Sequence, residues 1–405
     1  MPKQIVAVLF GGRSVEHEVS VISAHQVMDA LEVAGYELLP VYISKAGHWF
    51  AGKGLYNLKQ YSSPGFDPMA LRDSHRVILS PDPSVRQFVP HPTGAKGFFY
   101  KAPILWADVF FPVLHGAYGE DGCLQGLFEM ADVPYVGCGV LASAAGMDKV
   151  EQKQRFEHAK IPVLPCETVT RQAWKADPAR FIRAVEERFG WPVILKPATL
   201  GSSIAIARCG NSAQLTRAME TAMVYDSRVL VERALEGFRE VNCAVMGPPN
   251  RASVCEMPHT EGLMLSFDDK YRSGQPSKGK AGGVKGAIKG GASAAGMASL
   301  NRIIPAPISD DLTGVIQDYA LSGFQAIGGY GIARIDFLLD ADGQTVYLNE
   351  INTMPGSLSY YLWEASGLSF DKLVATLIEG ALRRHKQQRE TERVMNVNLL
   401  AGARA

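Results

Sequence analysis

Two carboxylates and one amide lie within a short segment that has the pattern of a β-hairpin. Residues 332–339 and 345–351 are largely apolar runs typical of paired strands. Asp336 lies on the first strand, and Glu350 and Asn352 lie on or just past the second, where side-chain alternation puts both on one face. Hard oxygen ligands of this kind suit Mg²⁺, which completes its shell with water and substrate phosphate. The segment therefore predicts a magnesium site.

A turn and a positive charge complete this hairpin. Asp342-Gly343 is typical of the turn between the two strands. Arg334 precedes Asp336 by two residues on the same face and would supply a fixed positive charge for a phosphate. The alternative is an ordinary surface hairpin held by a salt bridge. It is less favoured because Glu350 and Asn352 interrupt an apolar run, where an unpaired carboxylate is costly.

A second candidate site surrounds Lys196. The apolar strand predicted at 193–195 delivers this lysine into a dry setting, which is costly unless the lysine meets an anion such as a triphosphate. The following loop contains Ser202 and Ser203, and a small loop with many free N–H groups can fold over phosphates. The alternative is a tight turn whose serines cap local backbone groups. Lysine, strand and loop together favour phosphate binding.

The first half of the chain predicts two strands of a parallel sheet, each ending in polar residues. Residues 5–10 form a buried strand, 11–14 a Gly-Gly turn, and 18–34 a helix, so the helix start makes a ligand-binding corner. A second buried strand at 109–114 ends in His115, at the edge where open α/β sheets bind ligands. The alternative for His115 is a core histidine held by hydrogen bonds.

Composition limits the possible classes of protein. The chain has 405 residues with 47% apolar content, which predicts two or three domains. The net charge is zero, which argues against broad binding to nucleic acid or a membrane surface. The apolar runs are too short to span a membrane, and the first residues enter a strand pattern rather than a signal peptide. Six cysteines without a CxxC pair predict reduced thiols and a cytoplasmic location.

Several motifs resemble those of one enzyme family. Arg334-x-Asp336, followed by Asn349-Glu350-Ile351-Asn352-Thr353-Met354-Pro355-Gly356, resembles the metal-binding end of the D-alanine–D-alanine ligases of the ATP-grasp superfamily. Segments 11–20 and 114–126 are also similar to that family, and the resemblance covers about residues 3–385. It implies an α/β protein with the ATP-grasp fold, in which an N-terminal open parallel-sheet α/β domain precedes two ATP-binding α+β lobes.

The resemblance also implies the domain boundaries. An N-terminal domain would cover 1–143, a central lobe 144–232, and a C-terminal lobe 233–385, with a mobile insertion at 272–302 and a tail at 386–405. The insertion is rich in Gly, Ala, Ser and Lys, a composition that buries little surface. We interpret it as an enlarged lid whose lysines meet ATP phosphates or an acidic substrate. The alternative is a solvated insertion without a role.

Substrate roles follow from the same resemblance. Glu16 would help to hold the amino group of a first D-alanine, His115 would lie beside it, and Ser202 would bond into this subsite. Tyr271 would close over the substrate. The implied catalytic residues are Glu16, Ser202, Arg334 and Tyr271. The implied substrate-binding residues are Glu16, His115, Ser202, Tyr271, Gly356, Tyr361 and Leu362.

Nucleotide and metal positions are implied in the same way. Metal ligands would be Asp336, Glu350 and Asn352, holding Mg²⁺ or Mn²⁺, with two ions expected. Without the resemblance, Lys149 would be interpreted as a surface lysine and Glu232 as a surface acid. The implied ATP-binding residues are Lys149, Lys196, Ser203, Glu232, Arg233, Leu235, Glu240 and Lys270.

The sequence departs from the family pattern after Gly356. Ligases of this type usually carry a serine that, with a neighbouring backbone group, holds the carboxylate of the second D-alanine. Tyr361 stands at that position, and a phenol would reach a carboxylate from farther away. An acceptor other than D-alanine therefore stays open.

Three functions are compatible with these patterns. The first is an ATP- and Mg²⁺-dependent ligase that makes D-alanyl-D-alanine, a peptidoglycan precursor, through an acyl phosphate. The second uses the same chemistry to join a different amino acid or amine. The third is a nucleotide-binding regulatory protein without catalysis, against which the intact metal trio and lysines argue. We expect small-molecule substrates, no nucleic-acid or membrane partner and, by resemblance only, a homodimer.

Overall fold

Three β-sheets with packed helices make up the residues that the computed structural model describes, which are 3–93, 103–201, 204–258 and 302–394. Ser202, Ser203, Lys270 and Tyr271 lie outside the described residues, as does the predicted lid apart from Arg302. Within the described ranges, no helix is both long enough and apolar enough to cross a membrane.

The first sheet has the strand order β5-β4-β3-β2-β1-β6. Its parallel part matches the predicted strands, because β1 pairs with β2 on one side and β6 on the other. Three further strands extend the sheet in antiparallel fashion, within residues 44–100, whose weak pattern and many Pro, Gly and Ser residues predict only a hairpin and loops. The strands are β1 (Ile5–Gly11), β2 (Glu37–Ile43), β3 (Trp49–Ala51), β4 (His75–Leu79), β5 (Phe88–Pro90) and β6 (Val109–Pro112).

Helices flank this sheet and lead away from it. Helix α1 (His17–Val33) follows the Gly-Gly turn as predicted. Three short 3₁₀ turns follow β3, at Lys53–Tyr56, Leu58–Ser62 and Pro68–Ala70. After β6 come α2 (Cys123–Met130), α3 (Val140–Met147) and α4 (Lys149–His158). Asp148 separates α3 from α4, because its carboxylate caps α4 by accepting from Val150 N at 3.0 Å.

The second sheet is antiparallel, with the order β7-β10-β8-β9. The apolar positions in 174–189 predict one helix, and this prediction is wrong, because Asp177 caps a new helix whose first residue is Pro178. The strands are β7 (Cys166–Thr170), β8 (Val193–Pro197), β9 (Ala207–Cys209) and β10 (Arg228–Arg233). The helices are α5 (Arg171–Ala176), α6 (Pro178–Phe189) and α7 (Ser212–Tyr225).

The third sheet, also antiparallel, has the order β13-β12-β11-β14-β15. The predicted hairpin is its β14 and β15. The strands are β11 (Arg239–Gly247), β12 (Arg251–Pro258), β13 (Arg302–Ile303), β14 (Gly331–Leu339) and β15 (Val346–Asn352). Its helices are α8 (Asp310–Ala326), α9 (Tyr360–Ala365) and α10 (Phe370–Arg389), and a 3₁₀ turn at Gly356–Ser359 precedes α9.

Helix α10 ends later than the sequence predicted. It continues to Arg389, into the segment from 386 onward that we had assigned to a loose tail. Its last turns are held by the N-terminal part of the chain, since His385 Nε2 lies 2.9 Å from Asp132 Oδ1. The tail prediction is therefore wrong for this last turn.

The largest apolar core joins the first sheet to the C-terminal helices. Phe10 of β1 and Met28 of α1 are buried in the same cluster as Trp363 of α9 and Ile378 of α10. Leu362, a predicted substrate-binding residue, places its side chain in this core. The two ends of the chain therefore share one hydrophobic interior, and this interior fixes the first sheet against the third.

Two glycines that need left-handed backbone lie at the start of β14. Gly331 has φ +77°, and a Cβ there would lie 2.7 Å from the Cα of Gly137. Gly328 has φ +72°, but nothing lies within 4 Å of its Cβ position. The chain between α3 and β6 thus passes against β14 at a distance that only glycine permits.

We predict that Gly331→Ala lowers the free energy of unfolding by about 3 kcal/mol, because backbone strain and steric overlap add. Gly328→Ala is the matched control and should lose only about 1–2 kcal/mol, from backbone strain alone. Urea denaturation of both variants measures the difference. Equal losses would contradict a tight backbone approach at Gly331.

Candidate active site

The predicted metal residues lie side by side on two paired strands. Asp336 of β14 is directly opposite Glu350 of β15, and Arg334 is opposite Asn352. Arg334 donates from Nε to Asp336 Oδ1 at 2.6 Å and from Nη2 to Oδ2 at 2.7 Å. Asn352 Nδ2 donates to the same Oδ2 at 3.0 Å. The hairpin therefore holds one buried carboxylate between a guanidinium and an amide.

Burial and the ion pair have opposite effects on Arg334. Burial would lower the pKa of its guanidinium, but the charge of Asp336 more than offsets this and holds the pKa well above its ordinary value. Arg334 is therefore a fixed cation. In this structure its fork is directed at Asp336, whereas the sequence predicted that it would face a phosphate.

A cavity with an empty volume of about 680 Å³, part of it open to solvent, brings seven of the predicted residues together. It lies between the hairpin, the end of β6 and the start of α4. Its lining includes Glu16, His115, Lys149, Arg334, Glu350, Asn352 and Gly356.

Lys149 joins the loop after β8 to the hairpin. Its Nζ lies 3.4 Å from Glu350 Oε2 and donates to the carbonyl of Leu200 at 2.8 Å. Lys149 is buried, so the alternative interpretation as a surface lysine is wrong. Gln152, one turn along α4 and not predicted as a site residue, accepts from Ile351 N at 3.0 Å and so fixes β15 against α4.

Glu120 ties the first sheet to the segment after β15. One carboxylate oxygen accepts from Gly116 N at 2.7 Å, and the other accepts from Met354 N at 3.0 Å. Burial, together with the nearby charge of Glu16, raises the pKa of Glu120 to about 8. The sequence alone did not single out this acid as a site residue, because its partner Met354 is remote in sequence.

A second link runs through His115 and Ser23. The Nε2 of His115 lies 3.3 Å from Ser23 Oγ, which in turn accepts from Ser357 N at 3.1 Å. Burial lowers the pKa of His115 to about 4, so its imidazole is neutral near pH 7. His115 is thus held by a hydrogen bond, as in the core interpretation, and also lines the cavity, as in the functional one.

A second cavity, with an empty volume of about 380 Å³, lies against β8, β10 and β14. Apolar side chains supply most of its walls, and a lysine and a glutamate lie among them. Four of the predicted nucleotide-binding residues line it, and their apolar neighbours include Leu164, Ile194 and Leu338. The predicted residues are Lys196, Glu232, Arg233 and Leu235.

Glu232 forms a buried ion triad with two lysines. Its carboxylate pairs with Lys196, and its Oε2 lies 3.0 Å from Lys153 Nζ. Lys196 also donates to Asn349 Oδ1 at 2.8 Å. Burial would raise the pKa of Glu232, but Lys153 and Lys196 together hold it below its ordinary value. The surface interpretation of Glu232 is therefore wrong, and the anion that Lys196 meets in this structure is a carboxylate of the protein.

Two residues of this arrangement were missed by sequence analysis. Lys153 lies one helical turn after Lys149, so their i, i+4 spacing was an available signal. Asn349 is the extra residue of a β-bulge, because Phe337 is opposite Leu348 while Asp336 is opposite Glu350. No short-range pattern predicts where a bulge falls.

The remaining predicted residues lie on neighbouring elements. Glu240 is on β11 opposite Leu338, a residue of the second cavity. Tyr361 is at the start of α9, and its hydroxyl donates to Glu256 Oε1 at 3.1 Å.

The metal-binding potential of the hairpin depends on few acids. Within residues 3–93, 103–201, 204–258 and 302–394, no group of three or more His, Cys, Asp or Glu side chains could hold a metal ion. The hairpin instead presents two carboxylates, Asp336 and Glu350, with the amide of Asn352. Directly opposed hard oxygens fit a divalent cation that needs only one or two carboxylates.

Comparison with known proteins supplies the family. The family model described as D-ala D-ala ligase N-terminus matches residues 5–138. The family model described as D-ala D-ala ligase C-terminus matches residues 156–282 and 295–379. The chain belongs to the D-alanine–D-alanine ligase family. A D-alanine–D-alanine ligase of Heliobacterium modesticaldum is 38% identical, with 97% of this chain and 99% of the relative covered. A D-alanine–D-alanine ligase of Chloroherpeton thalassium is 37% identical, with 96% of this chain and 99% of the relative covered.

Solved structures of a D-alanine–D-alanine ligase and of a D-Ala:D-Ser ligase are similar to this one. The ligase from Coxiella burnetii has a TM-score of 0.75 and 27% identity over 96% of this chain and 97% of that chain. VanG D-Ala:D-Ser ligase from Enterococcus faecalis has a TM-score of 0.74 and 28% identity. The match covers 94% of this chain and 100% of that chain. The predicted family, ATP-grasp fold and ligase class are confirmed. Membership of the family implies ATP, a divalent metal ion and small-molecule substrates.

We predict that Glu120→Gln removes a pH dependence of stability. The folded-state pKa of about 8 is above that of an unfolded glutamate, so the folded state binds the extra proton between about pH 5 and 8. The free energy of unfolding should therefore fall as pH rises through this range, more steeply in the unmodified protein than in the variant. Urea denaturation at several pH values measures this slope. Glu129→Gln, which replaces a half-buried residue on α2, is the control and should leave the slope unaltered. If Glu120→Gln does not change the slope, the raised pKa of Glu120 is contradicted.

We also predict that Glu232→Gln lowers the free energy of unfolding by about 3–5 kcal/mol, because it leaves two buried lysines without a countercharge. Glu236→Gln is the matched control, since it breaks an exposed pair with Arg208 and should cost less than about 1 kcal/mol. Chemical denaturation at pH 7 compares the two. Because the pKa of Glu232 is lowered in the folded state, its stabilisation should be lost as pH falls below about 4.

Proposed function

We propose that this chain is an ATP- and Mg²⁺-dependent D-alanine–D-alanine ligase. The observation that carries the proposal is the β-bulge at Asn349. Asn349 contacts Lys196 of the second cavity, and the next residue, Glu350, contacts Lys149 of the first. A nucleotide whose base lies in the second cavity would therefore extend its phosphates past Asn349 towards the metal residues and the substrates.

The second cavity suits a purine base. Its apolar walls, which include Ile194 and Leu338, would stack against a flat ring. At the edge of the ring, Glu232 would accept a hydrogen bond, and nearby backbone groups would donate or accept others. On this proposal Lys196 turns from Glu232 to the phosphates when ATP is bound. The proposed base and ribose contacts also include Arg233, Leu235 and Glu240. The proposed phosphate contacts also include Ser203 and Lys270.

Asp336, Glu350 and Asn352 are the residues that would hold Mg²⁺ or Mn²⁺, with two ions proposed. A bound divalent ion would neutralise charge on the transferring phosphate. The protein's own contribution is mainly positioning and fixed charge. Arg334 supplies a cation that cannot lose its proton, and the amines of Lys149, Lys196 and Lys270 act as further clamps.

The proposed reaction has two steps. The carboxylate of a first D-alanine attacks the γ-phosphate of ATP, and ADP leaves as the acyl phosphate forms. The amine of a second D-alanine then attacks the acyl carbon, and phosphate leaves as the amide forms. Glu16 would hold the ammonium group of the first D-alanine, with neutral His115 and Ser202 beside it and Tyr271 closing over it. Gly356, Tyr361 and the backbone of Leu362 would border the second.

Family membership also supports the wider setting. On this proposal the product is a peptidoglycan precursor, the enzyme acts in the cytoplasm, and it is a homodimer. The proposed domains are 1–143, 144–232 and 233–385. The alternative, a different acceptor, has some support from the structural likeness to a D-Ala:D-Ser ligase. It is not favoured, because relatives named D-alanine–D-alanine ligase are more similar to this chain.

The test is phosphate release from ATP and Mg²⁺ with D-alanine alone, and then with a panel of amino acids and amines. D-alanyl-D-alanine in the product mixture would support the proposal. Phosphate release with another pair but not with D-alanine would favour the alternative, and ATP binding without any release would favour a regulatory protein.

We predict that Asp336→Asn abolishes turnover while ATP still binds, because the metal site loses a charge and Arg334 loses its buried countercharge, whereas the second cavity is unchanged. A loss of about a thousandfold or more in kcat is expected for a metal-binding charge of this kind. Asp340→Asn, in the exposed turn after β14, should keep the activity of the unmodified protein. Normal turnover by Asp336→Asn would contradict the proposed metal site.

A further inference from the structure

The three residues proposed to hold the divalent cation lie on two strands that differ in how they are held. Asp336 is on β14, which pairs with β11 on one side and with β15 on the other. Glu350 and Asn352 are on β15, which is the last strand in the order of the third sheet. The β-bulge at Asn349 also interrupts the pairing of β15 just before these two residues. Within the described residues, the sheet therefore holds Asp336 from both sides but Glu350 and Asn352 from one.

Gln152 of α4 bonds the outer side of this strand end. The residue is 2% exposed, and it lines the first cavity, beside the hairpin. Its amide Oε1 accepts from Ile351 N at 3.0 Å, and its Nε2 donates to Ile351 O at 3.4 Å. One side-chain amide thus pairs with both backbone groups of a single residue, as a neighbouring strand would. Ile351 lies between Glu350 and Asn352, so this pairing fixes the backbone from which both of those side chains extend.

The junction between α3 and α4 fixes Gln152 in turn. Gln152 Nε2 also donates to the carbonyl oxygen of Gly146, near the end of α3. Gly146 packs closely against the segment after β15, because a Cβ there would lie 2.5 Å from Thr353 Cγ2. The Nζ of Lys149, the first residue of α4, lies 3.4 Å from Glu350 Oε2. The junction therefore contacts the strand end through three residues, and Gln152 is the one that bonds its backbone.

We propose that Gln152 is a positioning residue for the divalent cation. It does not bind the ion itself, but it holds Glu350 and Asn352 where they can share a cation with Asp336. Ligands of a metal ion need further hydrogen bonds to keep their spacing, and the loss of such a bond typically lowers metal affinity or activity by about 10- to 100-fold. This inference rests on the proposed function, because that proposal assigns the cation to the hairpin.

The binding of Mn²⁺ to Gln152→Met tests this role. Methionine is close to glutamine in volume but has no amide, so the bonds to Ile351 are lost while the packing of its side chain in the apolar core is kept. Mn²⁺ is titrated in the presence of ADP, and binding is followed by the relaxation rate of water protons, which rises when the ion binds to a protein. The dissociation constant for Mn²⁺ should rise about tenfold or more. The affinity for ADP without a metal ion, measured by calorimetry, should not change, because other residues line the second cavity.

Two further variants separate positioning from a general loss of structure. Gln154→Met is the matched control, because it makes the same change at an exposed position of α4, and it should keep the Mn²⁺ affinity of the unmodified protein. Gln152→Glu keeps an acceptor for Ile351 N, so it should lose less Mn²⁺ affinity than Gln152→Met. Turnover by Gln152→Met should be recovered at high Mg²⁺ concentration, because Gln152 holds the metal ligands without being one of them.

Three outcomes would overturn the inference. If Gln152→Met binds Mn²⁺ as tightly as the unmodified protein, the sheet alone positions the ligands. If Gln152→Met loses as much affinity for metal-free ADP as for Mn²⁺, the defect is a general one. If the unmodified protein binds no Mn²⁺ with ADP, the proposed metal site fails and this inference fails with it. Failure of the ligase function alone would look different, since the unmodified protein would then bind Mn²⁺ but form no D-alanyl-D-alanine.

Discussion

The ion pair between Arg334 and Asp336 is the constraint around which the active site is arranged. Both residues lie on β14, a strand whose nine residues are all buried. A charged side chain in such a strand is costly unless it has a partner of opposite charge. Arg334 and Asp336, two residues apart, are each other's partner through a bidentate hydrogen bond. The neighbouring strands then continue a polar row with Asn242 and Glu350. A single buried pair thus creates a polar strip through an otherwise apolar sheet.

The loop after β15 receives its shape from the other end of the chain. Glu120 and Ser23 each accept a backbone N–H from it, at Met354 and Ser357. Residues Ser357, Leu358 and Ser359 have positive φ angles near +50°, a conformation that costs free energy for side chains of this kind. The bonds from the first sheet help to hold this backbone in place. The substrate cavity is therefore shaped by two parts of the protein and belongs to neither alone.

Local patterns in the sequence predicted what depends on neighbours in the chain. Spacing and residue type predicted the hairpin, the facing of Asp336 and Glu350, and the strand that delivers Lys196. Contacts between remote elements were not predicted, such as those of Glu232 with Lys153 and of Glu120 with Met354. The bulge at Asn349 depends on how two strands pair, which no local pattern shows. The predicted helix is divided before Pro178 because proline favours the first position of a helix.

The shared core described above has a consequence for how the protein can be divided. Helix α1 packs its Val27, Met28 and Leu31 side against a cluster that also contains Leu373 and Leu377 of α10. A fragment ending near residue 143, the proposed domain boundary, would leave that apolar surface uncovered. An exposed apolar face of this kind promotes self-association. Within the described residues, the first sheet and α10 therefore share one apolar core, which is complete only when both are present.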